Sequence, residues 1–156
     1  MTAPLRLTVR RSEVAAPSGE GVTAEISLRL PSEVVWIEEA VELIARHCLA
    51  GYQSSSRFRF RLRVALSEAL ANAIVCGNGE DPTKVVHIRV ECLVEQVHLH
   101  VTDQGCGFNP RTIPEPVLPD DIENPCGRGL FLIRSLMDQV RFNDRGNSIC
   151  MTLRRH

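Results

Sequence analysis

Two runs, Val85–Cys92 (VVHIRVEC) and Gln96–Thr102 (QVHLHVT), alternate apolar and polar residues and are joined tightly around Val94-Glu95. A period of two puts every second side chain on one face of a strand, so the pair reads as a β-hairpin with one apolar face. That face needs a second layer, and the rest of the chain supplies it. Residues 5–10 (LRLTVR) and 22–30 (VTAEISLRL) alternate in the same way, with Pro17, Gly19 and Gly21 marking residues 11–21 as a loop. PSEVVWIEEAVELIARHCLAG changes period. Ser32 offers a helix N-cap, acids follow in the early turns, Gly51 stops the run, and Val35, Ile37, Val41, Leu43 and Ile44 give a buried side.

The next segment, QSSSRFRFRLRVALSEALANAIVCGNG, is ambiguous at its start, because RFRFRLR alternates like a strand. From Leu62 the spacing Leu62, Leu66, Ala69, Leu70, Ala73 is helical, and the whole reads as one helix from Ser55 or Ser56 to Gly77. Arg57, Arg59, Arg61 and Arg63 then form either a solvated first half or a partner-binding patch. Residues 108–126 hold five of the nine prolines together with Glu115, Asp120, Asp121 and Glu123. Such a run forms neither a regular helix nor a central strand. A loop this long in a small domain is normally a lid, a binding loop or disorder. A helix follows from Gly127, and VRFND and SICMTLRR close the chain as a hairpin around the turn DRGN. The order is strand, strand, helix, helix, strand, strand, long loop, helix, strand, strand. The expected class is α+β, a mixed sheet with helices on one face.

At 156 residues the chain is the size of one domain, and 44% hydrophobic residues can build a core. A net charge of −1 argues against a general nucleic-acid binder, and no apolar run reaches membrane-spanning length. The six cysteines, at 48, 76, 92, 106, 126 and 150, are widely spaced without a CxxC pair, which predicts reduced cytosolic thiols, several of them in the core. His87, His98 and His100 lie on the hairpin without an acidic or thiol cluster, as solvent-facing histidines do.

Three short stretches carry chemistry. In SEALANAIVCGN (67–78), Glu68 and Asn72 are neighbours at i and i+4, away from the face of Leu62, Leu66, Leu70 and Ala73. An amide oxygen can bind Mg²⁺, and a carboxylate beside it can hold a water or accept a proton. In DQGCGF (103–108), Asp103 ends a strand, and Gly105 and Gly107 permit close backbone approach. Such an aspartate is either a turn former or an acceptor for an adenine amino group. In GRGL (127–130), glycines open a helix whose free N–H groups suit phosphate, or simply end a loop.

Taken in order, ExxxN, hairpin, DxGxG, long loop and GxGL resemble the GHKL ATPases, which share the Bergerat nucleotide fold, over about residues 22–153. Within that superfamily SEALANAIVCGN and GRGLFLIRSLMDQVRF…GNSICMTLRR are similar to the small anti-sigma factor serine kinases. The resemblance implies a two-layer Bergerat sandwich spanning residues 1–156, with 1–21 as an N-terminal strand and loop extension and 108–126 as the ATP lid. It implies ATP or ADP and Mg²⁺ as cofactors, Glu68 as general base, Asn72 as metal ligand and Asp103 as adenine partner. Gly105 and Gly107 would shape the base pocket, Gly127, Gly129 and Leu130 the phosphate end, with Ser148 near the adenine. Arg128 is the candidate lid cation. The implied function is an ATP-dependent serine kinase and anti-sigma factor, acting on an anti-anti-sigma (STAS-domain) protein and binding a sigma factor. The resemblance further implies a cytoplasmic homodimer with no direct contact to nucleic acid or membrane. A nucleotide-binding module without catalysis is the alternative. Cys76 stands where that branch usually has His.

Overall fold

The computed structural model describes residues 4–16, 19–50, 54–107 and 125–155. Its elements follow the expected order: β1 (Arg6–Ala16), β2 (Gly19–Pro31), α1 (Ile37–Leu49), α2 (Ser56–Ala71), β3 (Val85–Cys92), β4 (Gln96–Thr102), α3 (Pro125–Leu136), β5 (Gln139–Phe142) and β6 (Ser148–Arg154). The strands form one sheet in the order β1-β2-β3-β4-β6-β5.

Every described strand pair is antiparallel, so the sheet is not the mixed one the sequence led us to expect. Parity explains the difference. Two helices between β2 and β3 return the chain to the end it left, and the neighbours run opposite ways. One helix between β4 and β5 makes those two strands parallel, but β6 inserts between them and pairs antiparallel with both.

Inward side chains come from every second position: Ile26, Leu28 and Leu30 on β2, Val86, Ile88 and Val90 on β3, Leu99 and Val101 on β4, Met151 and Leu153 on β6. Ile44 of α1, Leu62, Leu66 and Leu70 of α2 and Ile133 of α3 cover them, and all of these are buried. The result is the α+β two-layer sandwich, with the helices on one face.

Three local expectations change. Residues 11–16 and 19–21 are strand rather than loop, because β1 and β2 continue in register from Arg6↔Arg29 to Ala16↔Gly19, while residues 17 and 18 lie outside the described residues. The long hairpin keeps its pairing beyond the core, where exposed Arg11, Ser12 and Glu13 carry no packing signal. Ser32 is not the cap of α1. A 3-10 turn at Val34–Trp36 intervenes, Trp36 occupies the cap position, and Val35 is exposed. Helix α3 begins at Pro125, two residues before Gly127, which suits a proline ring in a first turn. Ser55 does cap α2, its Oγ accepting from the Phe58 N–H at 3.1 Å.

The arginine cluster divides. Arg57 and Arg59 are exposed. Arg63 reaches Glu42 of α1 at 2.6 Å, and Arg61 donates to the Leu136 carbonyl at the end of α3. Two of the four therefore bind the helices to one another rather than wait for a partner.

Candidate functional site

Helix α2 does not end as an ordinary helix. Asn72–Gly77 (NAIVCG) forms a π-helical turn that continues its axis. Such turns are rare and recur at functional sites. Ala73 and Ile74 stay buried, while Asn72 and Gly77 are half-buried at the layer boundary. Glu68 is half-buried one turn earlier.

Helix α3 packs against this stretch through Gly129. A Cβ built on Gly129 would lie 2.9 Å from Asn72 Nδ2 and Oδ1 and 3.1 Å from Glu68 Oε2. One point on α3 thus touches both polar side chains, so the ExxxN pair and the GxG turn of the sequence converge. Among the described residues neither Glu68 nor Asn72 has a side-chain hydrogen bond or ion pair. A half-buried carboxylate and amide left without partners are costly, and a bound cation and phosphates would satisfy them.

The DxGxG segment leaves the end of β4 beside the other end of the π turn. Asp103 Oδ1 accepts from the Gly105 N–H at 2.8 Å. Among the described residues Oδ2 has no hydrogen bond. Burial pushes the Asp103 carboxyl above its ordinary value, against the opposing pull of the Gly105 N–H, Lys84 and Arg145. The glycines are required by space. A Cβ on Gly77 would meet Asp103 Oδ2 at 2.3 Å, and one on Gly105 would meet the Gly77 carbonyl oxygen at 2.0 Å. Gly107 has φ of +75°, the left-handed region that glycine favours.

Sequence reasoning missed the frame that holds this corner. Asn78, 3% exposed, donates to Ser32 Oγ at 2.8 Å and to the Val85 carbonyl at 3.0 Å, and accepts from the Gln104 N–H at 2.7 Å. Ser32 is fully buried and donates to the Lys84 carbonyl at 2.9 Å. The two side chains lock the end of α2 to β2, β3 and the DxGxG turn. The signal was a GNG read as a plain helix stop. Asn147 was missed as well: its Nδ2 donates to the Asp103 carbonyl at 3.1 Å, and its own carbonyl accepts from the Asp103 N–H at 2.9 Å.

Ser148 is not brought to Asp103. Its Oγ sits 2.8 Å from Thr102 Oγ1 and lines a cleft of about 610 Å³ on the open face of the sheet, with Arg6, Arg29, His87 and Arg89. Strand alternation is the reason: Ile149, its neighbour, takes the inward position. Leu130 is half-buried against the core and Arg128 is exposed. Gly127 lies in the first turn of α3. Residues 108–124 of the expected lid lie outside the described residues.

The thiol expectation is corrected at one position. Cys76, in the π turn, is disulfide-bonded, whereas Cys48, Cys92, Cys106 and Cys150 are free. Cys48 and Cys92 are buried, as expected for core thiols. Among the described residues no three metal-ligating side chains cluster, and His98 and His100 instead bond to Thr152 and Glu91. No described helix is long and apolar enough to cross a membrane.

The chain is similar to known proteins over most of its length. Residues 30–153 match the histidine kinase-like ATPase domain. A serine-protein kinase RsbW from Listeria monocytogenes is 30% identical over 142 residues, covering 82% of this chain and 85% of that protein. An RsbW from Oceanobacillus iheyensis is 26% identical over 130 residues, covering 77% and 79%. The serine/threonine-protein kinase BtrW of Bordetella bronchiseptica is 28% identical over 104 residues, covering 65% and 73%. An ATPase domain implies ATP or ADP as ligand; the three sequence stretches singled out above meet at the corner between α2, α3 and the end of β4. The chain belongs to the histidine kinase-like ATPase family, in the GHKL branch of the anti-sigma serine-protein kinases.

Proposed function

We propose that this protein is an anti-sigma factor that uses ATP to phosphorylate a serine of an anti-anti-sigma (STAS-domain) protein and otherwise holds a sigma factor. The observation that carries the reading is the juxtaposition of Glu68 and Asn72, both without a side-chain partner among the described residues, under Gly129 of α3. The names of the relatives, serine-protein kinases, point the same way. Asp103 Oδ2 is the free acceptor for the adenine amino group, and Gly105 and Gly107 keep the pocket wall to bare backbone. The first turn of α3, with Gly127, presents N–H groups to the phosphates, Gly129 one residue further lets the ligand come close, and a helix N-terminus favours that negative charge. Arg128 and the lid of residues 108–126 close the phosphate end.

The donor set fits Mg²⁺, a hard cation served by oxygen ligands. Asn72 Oδ1 would bind it directly and Glu68 through water. Bound there, Mg²⁺ would neutralise charge on the transferring phosphoryl group. Glu68 takes the proton of the attacking serine hydroxyl, and Asn72 and the head of α3 fix the geometry in which that hydroxyl meets the phosphate. Phosphoryl transfer asks mainly for such positioning and charge stabilisation. The kinase acts in the cytoplasm as a homodimer, through its first strands and helix.

Cys76, in place of the histidine usual in this branch, favours a second reading. In it a catalytically inactive module uses the same nucleotide site to sequester a sigma factor or other regulator. Radiolabelled ATP with Mg²⁺ and a STAS protein separates the two. The kinase reading expects label on a serine of the STAS protein, and loss of both label and metal-dependent nucleotide binding in Asn72→Ala. Tight nucleotide binding with no transfer to any STAS protein supports the second reading instead.

A further inference from the structure

Every second residue of a strand faces the same way, and on the open face of the sheet the pairing register lines those residues into rows. One row runs Arg6, Arg29, His87, Thr102 and Ser148 across β1, β2, β3, β4 and β6. The row beside it runs Thr8, Ser27, Arg89 and His100. Both rows line the cleft of about 610 Å³, and no acid lines it. The whole chain carries a charge of −1, so three arginines in one cleft are a local concentration of positive charge rather than a reflection of composition. Arg6 and Arg29 stand directly opposite each other, a like-charge pairing that destabilises a sheet unless something neutralises it. Among the described residues neither of them has an ion pair. Glu91, one row further along β3, reaches Arg89 and His100, each at 3.5 Å. The cleft also offers hydroxyl donors, with Thr102 Oγ1 and Ser148 Oγ 2.8 Å apart and Thr8 opposite Ser27.

We propose that this cleft is a second ligand site, for a small anion that carries two or more phosphate groups. Each row supplies at least one arginine, so a diphosphate can set one phosphate over each. A guanidinium meets phosphate oxygens with paired N–H bonds, and the hydroxyls complete the donor set. The anion relieves the repulsion between Arg6 and Arg29, which is a reason for it to stay. A second copy of the same face would instead set like charge against like. The site lies on the side of the sheet away from α2 and α3, so it is separate from the corner of Glu68 and Asn72. It does not depend on the kinase reading.

Histidine-ring NMR reads the cleft directly, because His87 and His100 line it and His47 and His98 do not. The variants His87→Gln and His100→Gln assign the two signals. Metal-free pyrophosphate titrated into the full chain should move both signals together and saturably. Arg29→Ala and Arg89→Ala should each weaken that affinity about 10-fold or more, as loss of a charge-assisted hydrogen bond does. Both side chains are exposed, so neither change threatens the fold. Arg57→Ala, exposed on α2, should leave the titration unchanged. A parallel titration with metal-free ADP separates the sources of the diphosphate group. Response to both ligands supports a diphosphate either free or on a nucleoside, and response to pyrophosphate alone supports a free one. Response to ADP alone overturns the proposal, since the base and not the phosphates would then be recognised. Signals that stay still at millimolar pyrophosphate overturn it too, as does a response that Arg29→Ala and Arg89→Ala leave intact. Signals that move only with protein concentration make this face an interface between copies and overturn it as well.

Discussion

Asp103 is a half-buried carboxylate with one oxygen held by Gly105 and the other without a hydrogen bond among the described residues. In the proposed function that second oxygen accepts from the adenine amino group. Asp103→Asn either turns its NH₂ donor toward the ligand or, with the amide flipped, turns it toward the Gly105 N–H and loses that bond, and a misfit at such a bond costs about 1–3 kcal/mol. Calorimetry should show ADP affinity falling accordingly, and unchanged affinity would remove Asp103 from the site. Its pKa is raised by burial in the folded protein. Below the unfolded value both states are protonated and the group does not alter stability. As pH rises from there through the raised folded value, the unfolded chain loses its proton first, and Asp103 subtracts stability at all higher pH. Urea unfolding of wild type and Asp103→Asn across acid pH should therefore diverge in that window, with the variant lacking the loss. ADP binding should weaken, as pH falls, at a higher pH than an ordinary carboxylate would give. Glu68, Asn72 and Asp103 stood out in the sequence as single candidates because their chemistry is unusual at those positions, and the structure places Glu68 and Asn72 together under α3. Ser148 was misplaced because a one-residue shift along a strand moves a side chain to the other face, and nothing in GNSIC marks which residue points at the Asp103 turn.

Among the elements, the end of α2 matters most. The helix was readable from its leucine spacing, but the π turn over Asn72–Gly77 was not, since it is fixed by what packs around it. Asn78 and Ser32 are part of that surrounding and make four side-chain hydrogen bonds between them. Asn78→Ala leaves the Gln104 N–H and the Val85 carbonyl without their partner. It should cost about 1–3 kcal/mol in chemical denaturation for each buried group left unmade. It should also weaken ADP binding by loosening the turn after Asp103. A variant that keeps wild-type stability would show that water replaces the amide and that the frame is not needed. Gly105→Ala tests the same corner from the backbone. Its Cβ would meet a carbonyl oxygen at 2.0 Å, so one of the two segments must move, and overpacking of this kind typically costs about 1–3 kcal/mol. The arginines of α2 taught the opposite lesson: the sequence showed four like charges at alternate positions, but only neighbours in space decided that Arg61 and Arg63 are structural.

At the scale of the whole molecule, element order and the two-layer class were readable because apolar periods of two and near four alternate clearly along the chain. The strand directions were not, because they depend on where β6 inserts. One core serves both jobs: Leu66 and Leu70 press α2 onto the sheet and so set the height at which Glu68 and Asn72 meet α3. Leu66→Ala should lower stability by about 2–5 kcal/mol in urea, with nucleotide affinity of the remaining folded protein reduced as well. The central claim is that this fold is an enzyme and that Glu68 is its base. Glu68→Gln keeps the size and most of the hydrogen bonding of the side chain but cannot take the serine proton. The decisive measurement is the single-turnover rate of phosphate transfer from Mg·ATP to the STAS partner, for wild type and Glu68→Gln, alongside their ADP affinities. The account predicts near-equal affinities and a rate lower by about 10²–10⁴ in the variant. Equal transfer rates in the two proteins would contradict it.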